Sequence, residues 1–232
     1  MAQITEVAVE DSWRSAHPGA SVGLLALGNV DGDPQQRGRS GARREALEAE
    51  LRQRFAGKSR ADLLAELPAL QAYAAYYRRF KKTYHVLLQL ESVAFKGRSI
   101  AAPLPLVEAA FMAELQNLLL TATHDLDVLQ APLRIASATG DERYPLLNGG
   151  EMEAKPADML MADAAGVVCT VIAGQAARGS VQPTTRRALF VVYAPPGIAP
   201  DAVQRHLVDI EALVRLCAPA VRCEGSAVIT AA

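Results

Sequence analysis

Two short apolar runs open the chain and predict β-strands. Residues 4–9 (ITEVAV) alternate apolar and polar positions, whereas residues 22–27 (VGLLAL) are almost continuously apolar. Alternation with a period of two is typical of a half-buried strand, and a short apolar run is typical of a buried one. The segment from Gly28 to Gly41 is rich in Gly, Asp and Gln, and it predicts a mobile loop.

The next block has the periodicity of helices. Residues 42–55 carry apolar side chains at a spacing of four, and Ser59 can cap a helix over residues 60–67. Further helices are predicted over residues 70–80, 86–95 and 106–120. The first of these places four aromatic residues on roughly one side, namely Tyr73, Tyr76, Tyr77 and Phe80.

From His124 onward the pattern changes to strands separated by turn residues. The predicted strands are residues 132–137, 158–163, 167–173 and 187–195, and a last helix is predicted over residues 201–216. The predicted order is two strands, a helical block, a strand block and a final helix. This order favours an α+β fold over a doubly wound parallel sheet. We expect an N-terminal extension, residues 1–70 (two strands, a mobile loop and helices), packed on the same domain as a core of residues 71–232.

Composition limits the class of protein. The chain has 232 residues, half of them apolar, which suits one domain or one domain with an appendage and excludes a disordered chain. No apolar run is long enough to span a bilayer, and the first residues lack the pattern of a secretory signal. Three scattered cysteines do not suit a disulfide framework. We therefore expect a cytoplasmic protein.

The net charge of −1 hides a strong asymmetry along the chain. Between Arg37 and Arg98 there are 14 Lys and Arg against 6 Asp and Glu, whereas Glu108 to Asp163 has 10 acidic residues and 3 basic ones. A chain polarised in this way can present a basic surface to phosphates. Solvated helix faces without a partner are an equally good interpretation of charge alone.

The common signatures of catalysis are absent. The sequence has no GxxxxGK[ST], GxGxxG, GxSxG or HExxH motif, and we expect neither a cofactor nor a metal ion. Cys169 lies in an apolar run and is interpreted as packing. His124, beside Asp125, either orients a water molecule or caps a turn, and capping is favoured. Glu142 belongs to a turn between strands, Gly140–Glu142, where a glutamate is usually solvated. Glu151 follows two glycines that allow close backbone approach, although a surface turn is the default interpretation.

Several short phrases occur in a fixed order along the second half of the chain. The phrases are His124–Asp127 (HDLD), Leu133–Ala136 (LRIA), Gly140–Glu142 (GDE), Gly150–Glu151, Ala162–Asp163, Ala173–Gly174 and Thr184–Thr185. In this order they resemble the B-three/B-four tRNA-editing domain of the phenylalanyl-tRNA synthetase beta subunit, and especially its free-standing versions, and the resemblance covers residues 77–216. The resemblance implies a β-sandwich-like strand core flanked by helices, with residues 71–232 as an editing-domain-like core.

The resemblance also implies a substrate pocket. Glu151 takes the place of the glutamate that accepts a hydrogen bond from the hydroxyl of a wrongly attached tyrosine. Ala173 and Gly174 would shape this pocket, and Val171 stands where the enzymes often carry Thr. His124 or Glu142 would help to hold the attacking water, and positioned water with backbone donors would suffice for an activated ester.

The function implied is that of an aminoacyl-tRNA deacylase acting in trans, with an aromatic amino acid favoured. The partner is aminoacylated tRNA, with neither a membrane nor DNA expected, and the sequence leaves the oligomeric state open. The phosphates of the tRNA would be contacted by the basic residues nearest the core, namely Arg78, Arg79, Lys81 and Lys82. The alternative is a non-catalytic module that binds a small molecule or amino acid with the same fold. A third interpretation is a structural protein without a working pocket.

Overall fold

The computed structural model describes residues 7–31 and 37–231, which contain seven α-helices and eleven β-strands. The helices are α1 (Asp11–Ala16), α2 (Arg37–Arg54), α3 (Arg60–Glu66), α4 (Pro68–Arg78), α5 (His85–Ala94), α6 (Pro105–Asn117) and α7 (Pro200–Cys217). The strands are β1 (Val7–Val9), β2 (Ser21–Gly28), β3 (Thr121–Asp125), β4 (Leu133–Ser137), β5 (Arg143–Pro145), β6 (Glu151–Glu153), β7 (Met159–Asp163), β8 (Gly166–Thr170), β9 (Gly174–Gln175), β10 (Arg187–Ala194) and β11 (Arg222–Thr230).

Three sheets organise these strands. The four-stranded sheet has the order β11-β2-β10-β3, and all of its neighbours are antiparallel. The five-stranded sheet has the order β1-β4-β7-β8-β9, in which only the pairing of β1 with β4 is parallel among the described strands. β5 and β6 form a separate two-stranded sheet. Helices flank the sheets, and the predicted α+β class is confirmed.

One hydrophobic core joins the two large sheets and the helices. Phe190 and Tyr193 of β10 and Ile135 of β4 are fully buried in the same cluster. Tyr73 of α4 belongs to that cluster too, and its hydroxyl donates to the carbonyl of Tyr193 at 2.7 Å. A second, smaller cluster lies under the β5–β6 pair, around Tyr144. The helical block is therefore packed directly on the strand block.

The predicted elements are largely found, and their ends differ for physical reasons. The strand over residues 22–27 is β2, and the first predicted strand is seen as β1, with residues 4–6 outside the described part. The predicted mobile loop is wrong at its end, since residues 37–41 belong to α2, and residues 32–36 are outside the described part. The Ser40 hydroxyl donates to Glu108 Oε1 at 2.8 Å, which fixes this first part of α2 on α6.

Local capping explains where two helices begin and end. Ser59 forms the expected cap, because its hydroxyl accepts the Asp62 N–H at 3.3 Å while the Asp62 carboxylate accepts the Ser59 N–H at 2.7 Å. α6 stops at Asn117, three residues before the predicted end, because Leu118 adopts a left-handed conformation with φ of 60°.

The expected division at residue 70 does not coincide with a structural boundary. α4 runs across it, and β2 pairs with both β10 and β11 inside the four-stranded sheet. Residues before 70 therefore supply part of the core. Within the described residues, none of the helices combines the length and the apolar character needed to cross a bilayer.

Glu114 is a buried carboxyl in α6 whose protonation affects stability. Its side chain is 1% exposed, and Oε1 accepts the Thr121 N–H at 2.8 Å, while Oε2 has no partner among the described residues. Burial raises the pKa of Glu114 to about 8 against an ordinary value of 4.5. Between these values the folded chain holds a proton that the unfolded chain has lost, so the free energy of unfolding falls as pH rises.

We predict that Glu114→Gln removes this dependence. Relative to that of Glu114→Gln, the free energy of unfolding of the wild type should fall by about 2 kcal/mol between roughly pH 6.5 and 8, because one pKa unit corresponds to about 1.36 kcal/mol. The four histidines have lowered pKa values in the folded chain and are partly protonated in the unfolded chain near pH 6.5, so they add an opposite slope that both proteins share. Urea unfolding at several pH values measures the effect, and parallel curves for the two proteins would contradict the assignment.

Candidate functional site

A cluster of basic residues stands at the end of α4. Arg78, Arg79, Lys81 and Lys82, called here the basic cluster, are exposed, and none forms an ion pair with a described carboxylate. Other cations of the basic segment are paired with carboxylates, namely Arg43, Arg44, Arg52, Lys58 and Arg60. The fold thus neutralises much of α2 and α3 internally and leaves the charges of the basic cluster available to an external anion.

Aromatic packing orders part of the basic cluster. The Arg79 guanidinium lies over the rings of Tyr76 and Phe80, with its carbon 5.4 and 5.6 Å from their centroids. Lys81 has φ of 56°, in the left-handed region, and the Lys82 N–H donates to the carbonyl of Tyr77 at 3.1 Å in the turn that follows α4. An open cavity of about 500 Å³ adjoins this turn.

Glu151 does not face the residues expected to share its pocket. In β6, Met152 packs into the small cluster together with Ala173, while Glu151 and Glu153 are exposed. Because successive side chains of a strand point to opposite faces, Glu151 points to the solvent side, away from that cluster. Its carboxylate has no hydrogen-bond partner among the described residues. The expected arrangement, with Glu151 facing Ala173 and Gly174 across one pocket, is therefore corrected.

The turn from Val171 to Gly174 connects β8 and β9. Val171 is buried and its carbonyl accepts the Tyr77 hydroxyl at 3.1 Å, so it faces the core rather than a ligand. Ala173 donates its N–H to the hydroxyl of Thr170 at 3.1 Å. Gly174 has φ of 89°, and no atom lies within 4 Å of the place a Cβ would take. Its Cα therefore borders open space.

Two hydroxyl groups that the sequence interpretation missed hold this turn. The Tyr144 hydroxyl lies 3.1 Å from Thr170 Oγ1 and 3.1 Å from the carbonyl oxygen of Gly174. Tyr144 and Thr170 are both buried. The editing enzymes that the sequence resembles often carry a threonine where this chain has Val171. Here Thr170 is the threonine whose hydroxyl lies near Gly174. In the sequence, the only feature that pointed to Tyr144 was the Gly140–Glu142 turn, which ends two residues before it.

His124 is a core residue rather than a water-holding group. It lies on β3 opposite Leu189 and is fully buried, and burial lowers its pKa to about 4. Neither ring nitrogen has a hydrogen-bond partner among the described residues. The capping role is instead taken by Asp125, which accepts the Asp127 N–H at 3.1 Å and the Thr185 hydroxyl at 2.6 Å. The expected catalytic role of His124 is not supported by this burial.

Glu142 is used within its own turn. Its carboxylate accepts the N–H groups of Thr139 and Gly140 at 2.9 and 3.0 Å. Burial acts to raise the pKa of Glu142, but these hydrogen bonds outweigh it and the pKa is lowered. A carboxylate stabilised as the anion by two donors is a poor proton acceptor, so the structure gives Glu142 a structural role.

A buried tyrosine and aspartate link the helical block to the strand block. The Tyr76 hydroxyl donates to Asp158 Oδ1 at 2.6 Å and accepts the Met159 N–H at 2.7 Å. The other carboxylate oxygen of Asp158 accepts the Ile172 N–H at 2.9 Å. Burial raises the pKa of Asp158 to about 6. The two residues are 82 positions apart, and nothing in the local pattern indicates their contact.

A second cavity, of about 570 Å³, lies between α2 and α6. Its polar lining is Ser40, Arg44 and Glu108, and the rest is largely apolar, with four proline or leucine side chains. Arg44 and Glu108 approach to 3.5 Å. In the described part of the chain, no three His, Cys, Asp or Glu side chains are grouped so as to hold a metal ion. Neither cavity is lined by Glu151, Ala173 or Gly174.

Comparisons with known proteins give distant structural neighbours and no sequence match. No family model matches the chain, and no curated protein matches it. Among the solved structures, an N-terminal fragment of the phenylalanyl-tRNA synthetase beta subunit from Pyrococcus horikoshii is similar with a TM-score of 0.45 and 12% identity. The match covers 96% of this chain and 49% of that chain, so this chain spans about half its length. This similarity assigns neither activity nor residues.

Arg178 anchors the segment that follows the turn. Its guanidinium donates to both carboxylate oxygens of Asp163, at 2.8 and 2.6 Å, and to the carbonyl of Gly166 at 3.0 Å. The Asp163 side chain is fully buried. A bidentate pair of this kind fixes geometry as well as charge.

We predict that Arg178→Ala lowers the free energy of unfolding by about 2–3 kcal/mol, since it leaves the buried Asp163 carboxylate without its cation. Arg178→Lys should recover only part of the loss, because an ammonium cannot make the bidentate contact. Urea unfolding of the three proteins tests both statements. Unchanged stability of Arg178→Ala would show that the pair contributes nothing.

Proposed function

We propose that the protein binds RNA, with aminoacylated tRNA as the class of ligand, through the basic cluster at the end of α4. The proposal rests on a contrast between basic residues that form ion pairs with carboxylates and those of the basic cluster, which do not. Four cations of α2 and α3 are paired with carboxylates of the fold, namely Arg43, Arg44, Arg52 and Arg60, while the four of the basic cluster are exposed and unpaired within the described residues.

Physical chemistry connects this pattern to a polyanion. Each cation that meets a phosphate releases condensed counterions, so affinity for RNA rises with the number of contacts and falls with salt. The net charge of the chain is only −1, and a local excess of cations is needed to attract a nucleic acid. Lys and Arg on a surface position the backbone without reading bases. We therefore assign docking, and not tRNA identity, to the basic cluster.

Hydrolysis of the aminoacyl ester is the reaction proposed for the bound tRNA. It is supported by the resemblance of the ordered phrases to an editing domain and by the open space at Gly174. An aminoacyl ester is already activated, so backbone N–H donors and a positioned water would suffice. The buried His124 and the turn-bound Glu142 take no part in this mechanism.

A binding module without catalysis is the second candidate. The observation that favours it is the 570 Å³ cavity between α2 and α6, whose size suits a small molecule and whose polar groups are few. A thermal-shift screen of free amino acids separates the two candidates. Stabilisation by a free amino acid without tRNA supports the module, and no stabilisation by any of them counts against it.

We predict that the double variant Arg78→Ala, Lys82→Ala weakens binding to tRNA and flattens its salt dependence. Loss of two phosphate contacts should reduce the slope of log affinity against log salt by roughly 1.5–2. The matched control is Lys58→Ala with Arg143→Ala, which removes the same charge from residues paired with Glu66 and Glu153. Filter binding at several salt concentrations gives the slopes.

An equal loss of affinity and slope in both double variants would contradict docking through the basic cluster. Net charge alone would then explain the binding. Arg78 and Lys82 are exposed and have no hydrogen bond among the described side chains, so the free energy of unfolding of the test variant should stay within about 0.5 kcal/mol of wild type.

We predict that the protein hydrolyses tyrosyl-tRNA or another aromatic aminoacyl ester. Gly174→Ala should slow this hydrolysis by roughly tenfold or more, because a small misplacement of the reacting groups lowers the rate strongly. Gly57→Ala is the control, since Gly57 also has a positive φ and open space around it but lies in the turn between α2 and α3. Release of radiolabelled amino acid measures the rate. Failure to hydrolyse any aromatic ester would refute the reaction and leave tRNA binding intact.

A further inference from the structure

The open cavity of about 500 Å³ beside the basic cluster has walls from two distant parts of the chain. Arg79, Phe80 and Lys81 come from the turn that follows α4, and Lys155 and Pro156 come from the turn between β6 and β7. Three of the five lining residues are cationic and none is acidic. Lys155 is one of only 3 basic residues between Glu108 and Asp163, so the fold has brought an isolated cation to this cavity.

Tyr76 holds both walls at once. Its ring lies under the Arg79 guanidinium, and its hydroxyl bonds to Asp158 Oδ1 at 2.6 Å and to the Met159 N–H at 2.7 Å. Tyr76 is only 3% exposed and Asp158 is fully buried. Because these hydrogen bonds are shielded from water, they fix the position of the 155–158 turn relative to the end of α4.

Further contacts fix the 155–158 turn itself. The Asp158 N–H donates to the carbonyl of Lys155 at 3.0 Å, and the Ala157 N–H donates to the carbonyl of Ala138 at 2.8 Å. Pro156 packs against Gly140 so closely that a Cβ there would lie 2.6 Å from Pro156 Cγ. Glycine at 140 is therefore required for the turn to sit where it does.

Both walls contain a residue in a backbone conformation that it disfavours. Lys81 and Ala157 have φ of 56° and 62°, and only four non-glycine residues in the described chain have positive φ. Such a conformation costs roughly 1–2 kcal/mol for a residue with a Cβ, and it persists where the surrounding structure imposes it, often at ligand sites. The cavity is thus held in shape before any ligand arrives.

We propose that this cavity is a binding site for the phosphate group of a nucleotide, held by Arg79, Lys81 and Lys155. The proposal deepens the proposed function and rests on it where the phosphate belongs to RNA. A free nucleotide is the other source of the same phosphate chemistry.

The chemistry of the lining matches such a ligand. A guanidinium presents paired donors to phosphate oxygens, and two ammonium groups add point charges that balance a phosphate. The partly exposed Phe80 and the ring of Pro156 offer an apolar surface to the sugar or base, and stacking on an aromatic ring is tolerant of sequence. Discrete fixed cations around an apolar wall suit a nucleotide better than an inorganic anion.

The test compares Lys155→Ala with Lys96→Ala. Both lysines are exposed and carry the same charge, but Lys96 follows α5 and does not line the cavity. The probes are a fluorescent single-stranded oligoribonucleotide of about ten residues and adenosine monophosphate. We expect Lys155→Ala to weaken binding by about tenfold and Lys96→Ala to change it less than about twofold.

The two probes distinguish the source of the phosphate. If Lys155→Ala binds both the oligonucleotide and adenosine monophosphate more weakly, the site accepts free nucleotides. If it binds only the oligonucleotide more weakly, the phosphate belongs to RNA. Equal effects of the two lysine variants would overturn the proposal while leaving tRNA binding by the basic cluster intact. If the wild type binds tRNA but neither probe, the proposal is also overturned.

Tyr76→Phe tests the positioning role of the tyrosine hydroxyl. This variant keeps every cation but removes the hydrogen bonds to Asp158 and Met159, so we expect weaker binding of the oligonucleotide with an unchanged salt slope. A merely structural role would lower the melting temperature and leave affinity of the folded protein unchanged. That result would remove Tyr76 from the site without affecting the prediction for Lys155.

Discussion

The buried hydrogen bond between Tyr76 and Asp158 joins two halves of the molecule that are built from different elements. It connects α4, in the helical block, to the turn that enters β7, in the strand block. A phenol and a carboxyl buried together are costly unless each is satisfied, and here both are, through Met159 and Ile172. The positions of Arg79, Lys155 and the turn before Gly174 all depend on this one junction.

The fold determines which of the basic residues are paired with carboxylates and which are exposed without a partner among the described residues. The sequence shows only an excess of cations from Arg37 to Arg98, whereas the structure shows which of these cations pair with carboxylates and which do not. Carboxylates of α2, α3, α5 and α6 pair with the cations near them, and none of those described pairs with the basic cluster. A surface of this kind attracts polyanions without raising the net charge of the molecule.

Local patterns predicted the elements, but not the site. The apolar run of β2, the Ser59 cap and the helical periodicities depend on neighbours within a few residues, and they could be recognised directly. The orientation of Glu151 depends on the pairing of β6 with β5. The position of Lys155 beside Arg79 depends on the contact of Tyr76 with Asp158, which are 82 positions apart. Single-sequence patterns carry no information about such contacts. The resemblance placed the turns correctly along the chain without fixing which way their side chains point.

Lysine reactivity provides the most direct measurement of the proposed docking of RNA. The chain has five lysines, at positions 58, 81, 82, 96 and 155, and each can be acetylated and quantified by mass spectrometry with and without tRNA. We predict that tRNA protects Lys81, Lys82 and Lys155 and leaves Lys58 and Lys96 as reactive as in the free protein. Uniform protection, or protection of Lys58 and Lys96 instead, would contradict the account.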